Sequence, residues 1–113
     1  MRDEDHRIYS LLSLTQKAGR LKSGETAVEK SVGGRTSQLV IVARDASENT
    51  KKQFRDKCAF YDVPYREFGT KEALGHAIGR AERSSVSIED AGFTATLLSK
   101  IDGGKTNGKD EDR

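Results

Sequence analysis

The sequence predicts an α/β domain in which a small sheet is sandwiched between helices. Three observations carry that prediction. Stretches with helical spacing of apolar residues alternate with short extended stretches along the chain. One extended stretch, Leu39-Val-Ile-Val-Ala43, is apolar at every position, as a central strand covered on both faces must be. Polar residues able to cap a helix (Ser47, Thr70 and Asp90) stand directly ahead of three of the periodic stretches.

Taken in order, Ile8, Leu11, Leu12 and Ala18 recur at helical spacing, with Tyr9 and Leu14 widening the apolar face. Gly19 stands where a C-cap glycine belongs, so helix one is expected over 7–18, after a frayed start at 1–6. Residues 20–23 read as a short edge strand because half of them are basic. Ser23 or Gly24 can cap helix two, Glu25 suits its positive first turn, and Ala27, Val28, Ser31 and Val32 form a thin apolar stripe. Gly33-Gly34 ends that helix. After the central strand, Ser47 caps helix three over 48–61, which turns Phe54, Cys58 and Tyr61 inward. Residues 63–68 read as a strand, and Pro64 restricts it to an edge or to a first-residue position. Thr70 caps helix four, with Ala73, Leu74, Ala77 and Ile78 inside. The last strand lies over 84–88, and Asp90 caps helix five, whose Phe93, Leu97, Leu98 and Ile101 face the core. Beyond 101 there is no apolar residue, so 102–113 reads as a disordered charged tail on a single domain of 1–101.

A chain of 113 residues can bury one modest core. With 34% charged residues and a mean hydropathy of −0.73, its surface is wet and its core economical. No apolar run approaches the ~20 residues of a membrane-spanning helix, and the acidic start has no signal-peptide core. Cys58 is the single cysteine, which excludes an internal disulfide and a multi-thiol metal site; a cytoplasmic protein with neither metal nor cofactor is expected. The net charge of +2 understates the basic bias, because residues 8–101 hold 15 basic against 11 acidic side chains. Such a bias permits a nucleic-acid partner without proving one.

The turn Lys22-Ser-Gly-Glu-Thr26 is the first candidate site. Glycine lets a backbone approach a ligand closely, and a helix start offers free N–H groups to an anion. Lys30 lies four residues past Thr26, so a hydroxyl and an ammonium share one face. Arg44 and Lys51 flank the turn after the central strand, and Arg80 and Arg83 lie in the loop before the last strand; Lys17, Arg20 and Lys52 complete the basic set. The plainer reading, an ordinary cap followed by solvated charge, is the one the pattern by itself favours.

Catalytic signals are weak. Asp45 and Glu48 follow the central strand, where helix capping is the commoner use of acids. His76 lies mid-helix between core positions and reads as a helix-surface residue rather than a base or metal ligand, and His6 lies in the frayed start. Cys58 shares its helical phase with Phe54 and Tyr61, which makes it a core thiol. There is no GxxxxGK[ST], HExxH, GxSxG or CxxC. Gly75 and Gly79 form a GxxxG that signals close packing in a chain of this kind.

These residues have a precedent. Gln16-Lys-Ala-Gly-Arg-Leu-Lys-Ser-Gly24, Lys30, 39–45, Val63-Pro-Tyr65, Thr70-Lys71, Leu74-Gly75 and Val86-Ser-Ile88 resemble the L-seven-Ae / L-thirty-e ribosomal-protein superfamily of kink-turn RNA binders. Asp45-Ala-Ser-Glu-Asn-Thr50, Asp56-Lys-Cys58 and Leu74-Gly-His-Ala-Ile-Gly-Arg80 look most like its bacterial YlxQ-like branch. The resemblance runs from Ile8 to Ile101. It implies a three-layer α-β-α sandwich around a four-stranded mixed sheet. It also implies binding of sharply bent RNA with tandem sheared G·A pairs. The family opens its second helix with Gly-x-Asn-Glu and carries a lysine in the next turn. Gly24 and Lys30 match, but Thr26 replaces the asparagine and Ala27 the glutamate that accepts from guanine. A good bidentate base contact contributes about 1–3 kcal/mol, so this site should discriminate bases less sharply than its relatives. The loop Gly79-Arg-Ala-Glu-Arg-Ser84 is charged where the RNA-binding relatives are apolar.

The expectation is therefore a noncatalytic RNA-binding monomer, ribosome-associated or bound to structured, kink-turn-like RNA. Its contacts are assigned to Lys22, Ser23, Gly24, Glu25, Thr26, Lys30, Arg44, Lys51, Arg80 and Arg83. A ribosomal or translation-factor protein is the expected protein partner. The alternative is a protein-interaction module that kept the fold and lost the RNA site. An enzyme ranks last.

Overall fold

The computed structural model describes residues 3–106; positions 1–2 and 107–113 lie outside the described residues. Helices and strands alternate as α1 (Asp3–Lys17), β1 (Leu21–Ser23), α2 (Glu25–Gly33), β2 (Leu39–Val42), α3 (Glu48–Tyr61), β3 (Tyr65–Glu67), α4 (Lys71–Ala77), β4 (Ser85–Ile88) and α5 (Ala91–Thr106). The four strands form one mixed sheet in the order β1-β4-β2-β3. β4 runs antiparallel to both of its neighbours, while β2 and β3 are parallel. Helices α1, α4 and α5 pack together on one face, and α2 with α3 on the other. The result is a three-layer α-β-α sandwich.

Burial follows the strand alternation. Val40 pairs with Ser87 and Val42 with Ser85, so these four share a face. Ser87 Oγ lies 2.8 Å from Ser31 Oγ of α2, which identifies that face as the α2/α3 side. Leu39, Ile41, Val86 and Ile88 turn to the other. All four residues of β2 are fully buried together with Phe54, Leu12, Leu74 and Leu97 in one continuous core. Gly19, at φ 74°, ends α1, with its N–H donated to Gln16 O. Ser47 and Thr70 accept from Thr50 N and Ala73 N, and Asp90 Oδ2 from Phe93 N, as their sequence positions require.

Several expectations are corrected. Residues 3–6 are helical, because α1 begins at Asp3 and not at 7. Residues 102–106 are helical too, because α5 continues to Thr106. The Arg66 guanidinium of β3 grips the Asp102 carboxylate with Nε–Oδ1 at 2.7 Å and Nη2–Oδ2 at 2.8 Å. Composition could not announce a two-point ion pair across 36 residues. The rest of the expected tail lies outside the described residues. Leu14 is 53% exposed and does not widen the core face of α1. β3 is only three residues long; Pro64 precedes it and still contributes its carbonyl to Val40 N.

Candidate functional site

The register brings chain-distant turns together at one end of the sheet. Ser23 pairs with Val86, and Val42 pairs with both Ser85 and Glu67. The ends of β1, β2 and β3 and the start of β4 therefore form a common rim, at which α2, α3 and α4 all begin. Helix starts carry partial positive charge on unsatisfied N–H groups, so three of them on one rim favour an anion.

Backbone hydrogen bonds knit this rim. Gly24 N donates to Ser85 O (3.1 Å), Ala43 N to Ser84 O (2.9 Å), Arg44 N to Gly69 O (2.8 Å) and Arg83 N to Lys71 O (3.1 Å). The α3 and α4 starts are capped by Ser47 and Thr70. The α2 start differs: its N-cap is Gly24 at φ 93°, with no side chain capping it. A side chain at that φ is strained, so glycine is what allows the chain to turn from β1 into α2.

The loop 79–84 leans on α4. Gly75 is buried, and a Cβ there would stand 1.9 Å from Ala81 O. The GxxxG expectation of close packing thus holds at Gly75, where the tight neighbour is a loop backbone. Asp45 Oδ1 accepts from Lys71 N at 2.9 Å, so this acid ties two turns together.

The expected site residues separate into groups. Ser23, Gly24, Glu25, Thr26 and Arg83 meet at the α2 start. Arg83 is half-buried, donating from Nε to Ser23 Oγ (3.2 Å) and from Nη1 to Glu82 O (2.9 Å). Lys22 and Lys30 line a groove of about 380 Å³ along α2, shared with Ala27, Ser31, Thr36 and Glu89. Arg80 lines a second groove with Thr70, Ala73 and His76. Arg44 lines a third with Tyr9, Asp45 and Thr70, its guanidinium 5.8 Å from the Phe68 ring centre. Burial, with Asp5 adding to it, pushes the Tyr9 hydroxyl above its ordinary pKa.

Lys51 stands apart. It is 13% exposed and lies 3.6 Å from Glu48 and 3.8 Å from Glu67, so its charge is already balanced. Lys52 is paired with Asp56 at 2.6 Å, which holds that carboxyl below its usual range. Lys17 and Arg20 precede β1 and sit at the opposite end of the sheet, where Arg20 O accepts from Glu89 N. The rim also carries acids, Glu25, Glu72 and Glu82 among them.

Sequence reasoning missed Glu89. Its Oε2 accepts from Ser31 Oγ at 2.6 Å and from Thr36 Oγ1 at 2.8 Å. Its only local signal is its place directly after a strand; its partners come from 53 and 58 residues away. Cys58 is buried, and desolvation pushes its thiol up to about 11. Among the described residues no group of three His, Cys, Asp or Glu could hold a metal ion. No described helix is long and apolar enough to cross a membrane.

Against known proteins, residues 6–98 match the ribosomal protein L7Ae/L30e/S12e/Gadd45 family. The chain belongs to this family. Among L7Ae-family relatives, it is 38% identical over 94 residues to the RNA-binding protein YlxQ of Bacillus subtilis, covering 83% of this chain and 94% of the relative. The RNA-binding protein YlxQ of Enterococcus faecium is 35% identical over 94 residues, covering 83% and 90%. A solved structure of a Bacillus halodurans protein of unknown function superposes with a TM-score of 0.81 at 41% identity, covering 84% of this chain and 96% of that one. The Giardia lamblia 15.5kD RNA binding protein superposes with a TM-score of 0.74 at 22% identity, covering 96% and 91%. At that identity the likeness concerns the L7Ae-type fold alone. The resemblance read from the sequence and the α-β-α architecture it implied both hold.

Proposed function

We propose that this protein is a noncatalytic RNA-binding protein that takes structured, kink-turn-like RNA on the rim where α2, α3 and α4 begin. One observation carries the reading: the α2 start, open because Gly24 leaves it without a side-chain cap, adjoins the half-buried guanidinium of Arg83. A helix start and a positioned guanidinium each suit a phosphate, and here both come from elements that the sheet register holds still. Lys22 and Lys30 extend the cationic surface along α2, and Arg80 and Arg44 extend it across α4 and β3. Lys51 is left out of the contact set, since two carboxylates already hold it. Membership of the L7Ae family and the likeness to two RNA-binding YlxQ proteins support RNA as the anion.

The noncatalytic part rests on how the candidate groups are used. Asp45 is committed to Lys71 N, and Cys58 is a buried thiol with a raised pKa. A cytoplasmic monomer that meets the ribosome or a translation factor through its RNA completes the proposal.

The test compares binding of a kink-turn RNA and of an unbent duplex of equal length at one fixed salt concentration. Preference for the bent RNA, with affinity falling steeply as salt rises, is the expected result. Equal binding to both removes the kink-turn part. Recovery of no RNA from crosslinked cells, beside a stable protein partner, replaces the whole reading with the protein-interaction module.

A further inference from the structure

The groove along α2 holds a carboxylate where a cationic surface would not be expected to have one. Its walls are Lys22, Ala27, Lys30, Ser31, Thr36 and Glu89, in about 380 Å³. Glu89 is held rather than loose, because Ser31 Oγ and Thr36 Oγ1 both donate to its Oε2. Oε1 takes no hydrogen bond among the described residues. Lys22 and Lys30 form no ion pair with Glu89 at 4.0 Å or less, nor with another acid among the described residues. A carboxylate fixed by two hydroxyls, lining one groove with two lysines that no acid among the described residues engages, is prepared for a ligand that offers donors and acceptors side by side.

Resting on the RNA reading above, we infer that Glu89 and Lys30 together read the edge of a guanine base. Guanine presents N1–H and N2–H next to each other, with O6 beside them. Oε1 retains two acceptor positions for the donors, and the ammonium meets the carbonyl. Adenine and cytosine place a ring acceptor beside their amino group, and uracil flanks its one N–H with two carbonyls. A carboxylate repels each of those acceptors. Ala27 matters because it leaves the α2 wall open, where the family's signature glutamate would stand. The carboxylate lost from α2 is thus supplied from the residue after β4, across the same groove, and guanine discrimination is retained by a different route.

The test is a cycle on a kink-turn RNA at fixed low salt. Each guanine of the two sheared G·A pairs is replaced singly by 1-methylguanine, which blocks N1–H and leaves the edge used in the sheared pair free. Glu89→Gln is the protein arm; its amide oxygen still accepts from Ser31 and Thr36, and a melting curve checks that it folds. At one guanine the methyl is expected to weaken native binding about tenfold, and Glu89→Gln to weaken unmodified RNA by a similar factor. The combination should cost no more than either change alone. The inference is overturned if no methyl weakens the native protein, a result that needs no variant. It is equally overturned if Glu89→Gln binds as tightly as native, or if the two losses multiply. Failure of the native protein to prefer bent RNA over duplex is a separate outcome, which removes the RNA reading and this inference with it.

Discussion

Arg83 donates from Nε to Ser23 Oγ across 3.2 Å, joining residues 60 positions apart at the point where α2 begins. The contact pins the loop before β4 to the turn after β1. It leaves the outer part of the guanidinium as a positioned cation beside an uncapped helix start. On the RNA reading, Arg83→Gln removes one phosphate contact. The log–log salt slope of binding should fall by about 1, with little change in the preference for bent over straight RNA. A salt titration of native and variant checks this.

Lys30 and Lys51 both lie on helices near the proposed surface, but their surroundings differ. Lys30 lines an open groove, whereas Lys51 sits between Glu48 and Glu67. Lys30→Glu is expected to weaken RNA binding at low salt by more than about tenfold and to leave the melting temperature nearly unchanged. Lys51→Glu should do the reverse, because three carboxylates then crowd one place. Unchanged RNA affinity in Lys30→Glu would remove the proposed surface.

Gly75 admits no side chain, since a Cβ would meet Ala81 O at 1.9 Å. Gly75→Ala must push away the loop that carries Arg80 and Arg83. A loss of about 1–3 kcal/mol in stability is expected from such overpacking. RNA binding should fall as well, and more than the unfolded fraction explains. Denaturant unfolding and RNA titration on the same samples separate the two effects.

Cys58 offers a pH prediction. Burial raises its thiol to about 11, from an ordinary value of 9.0. The folded state therefore keeps the proton that the unfolded state gives up. The stability tied to this proton is fully present below pH 9.0 and is lost as pH rises toward about 11. Native Cys58 should accordingly react with a thiol reagent at pH 8 only as fast as the chain opens, and quickly in denaturant. Rapid labelling of the native protein at pH 8 contradicts this placement.

Much of the fold was legible locally because local chemistry decides it. Glu48–Tyr61 matches the helix expected after Ser47, since a cap hydroxyl and a periodic apolar face both act within one or two turns. Leu39–Val42 is buried throughout, as a stretch without a polar face must be. Thr70 and Asp90 cap as their positions indicate. The expected boundaries were less secure where long-range contacts intervene, as at Asp102, which Arg66 draws into α5.

By itself, then, the sequence determined the elements, their caps and the apolar central strand, because these depend on neighbours within a few residues, and its resemblance over residues 8–101 indicated the fold family. Only the tertiary structure decided that β4 inserts between β1 and β2. That placement brings Arg83 to Ser23, and the parallel pairing of β3 with β2 sets Glu67 beside Lys51. It also decided that Glu89 lines one groove with Ala27 and Lys30. Strand pairing joins residues that no local period connects, so which charges are free, which are balanced and which converge is settled by the sheet.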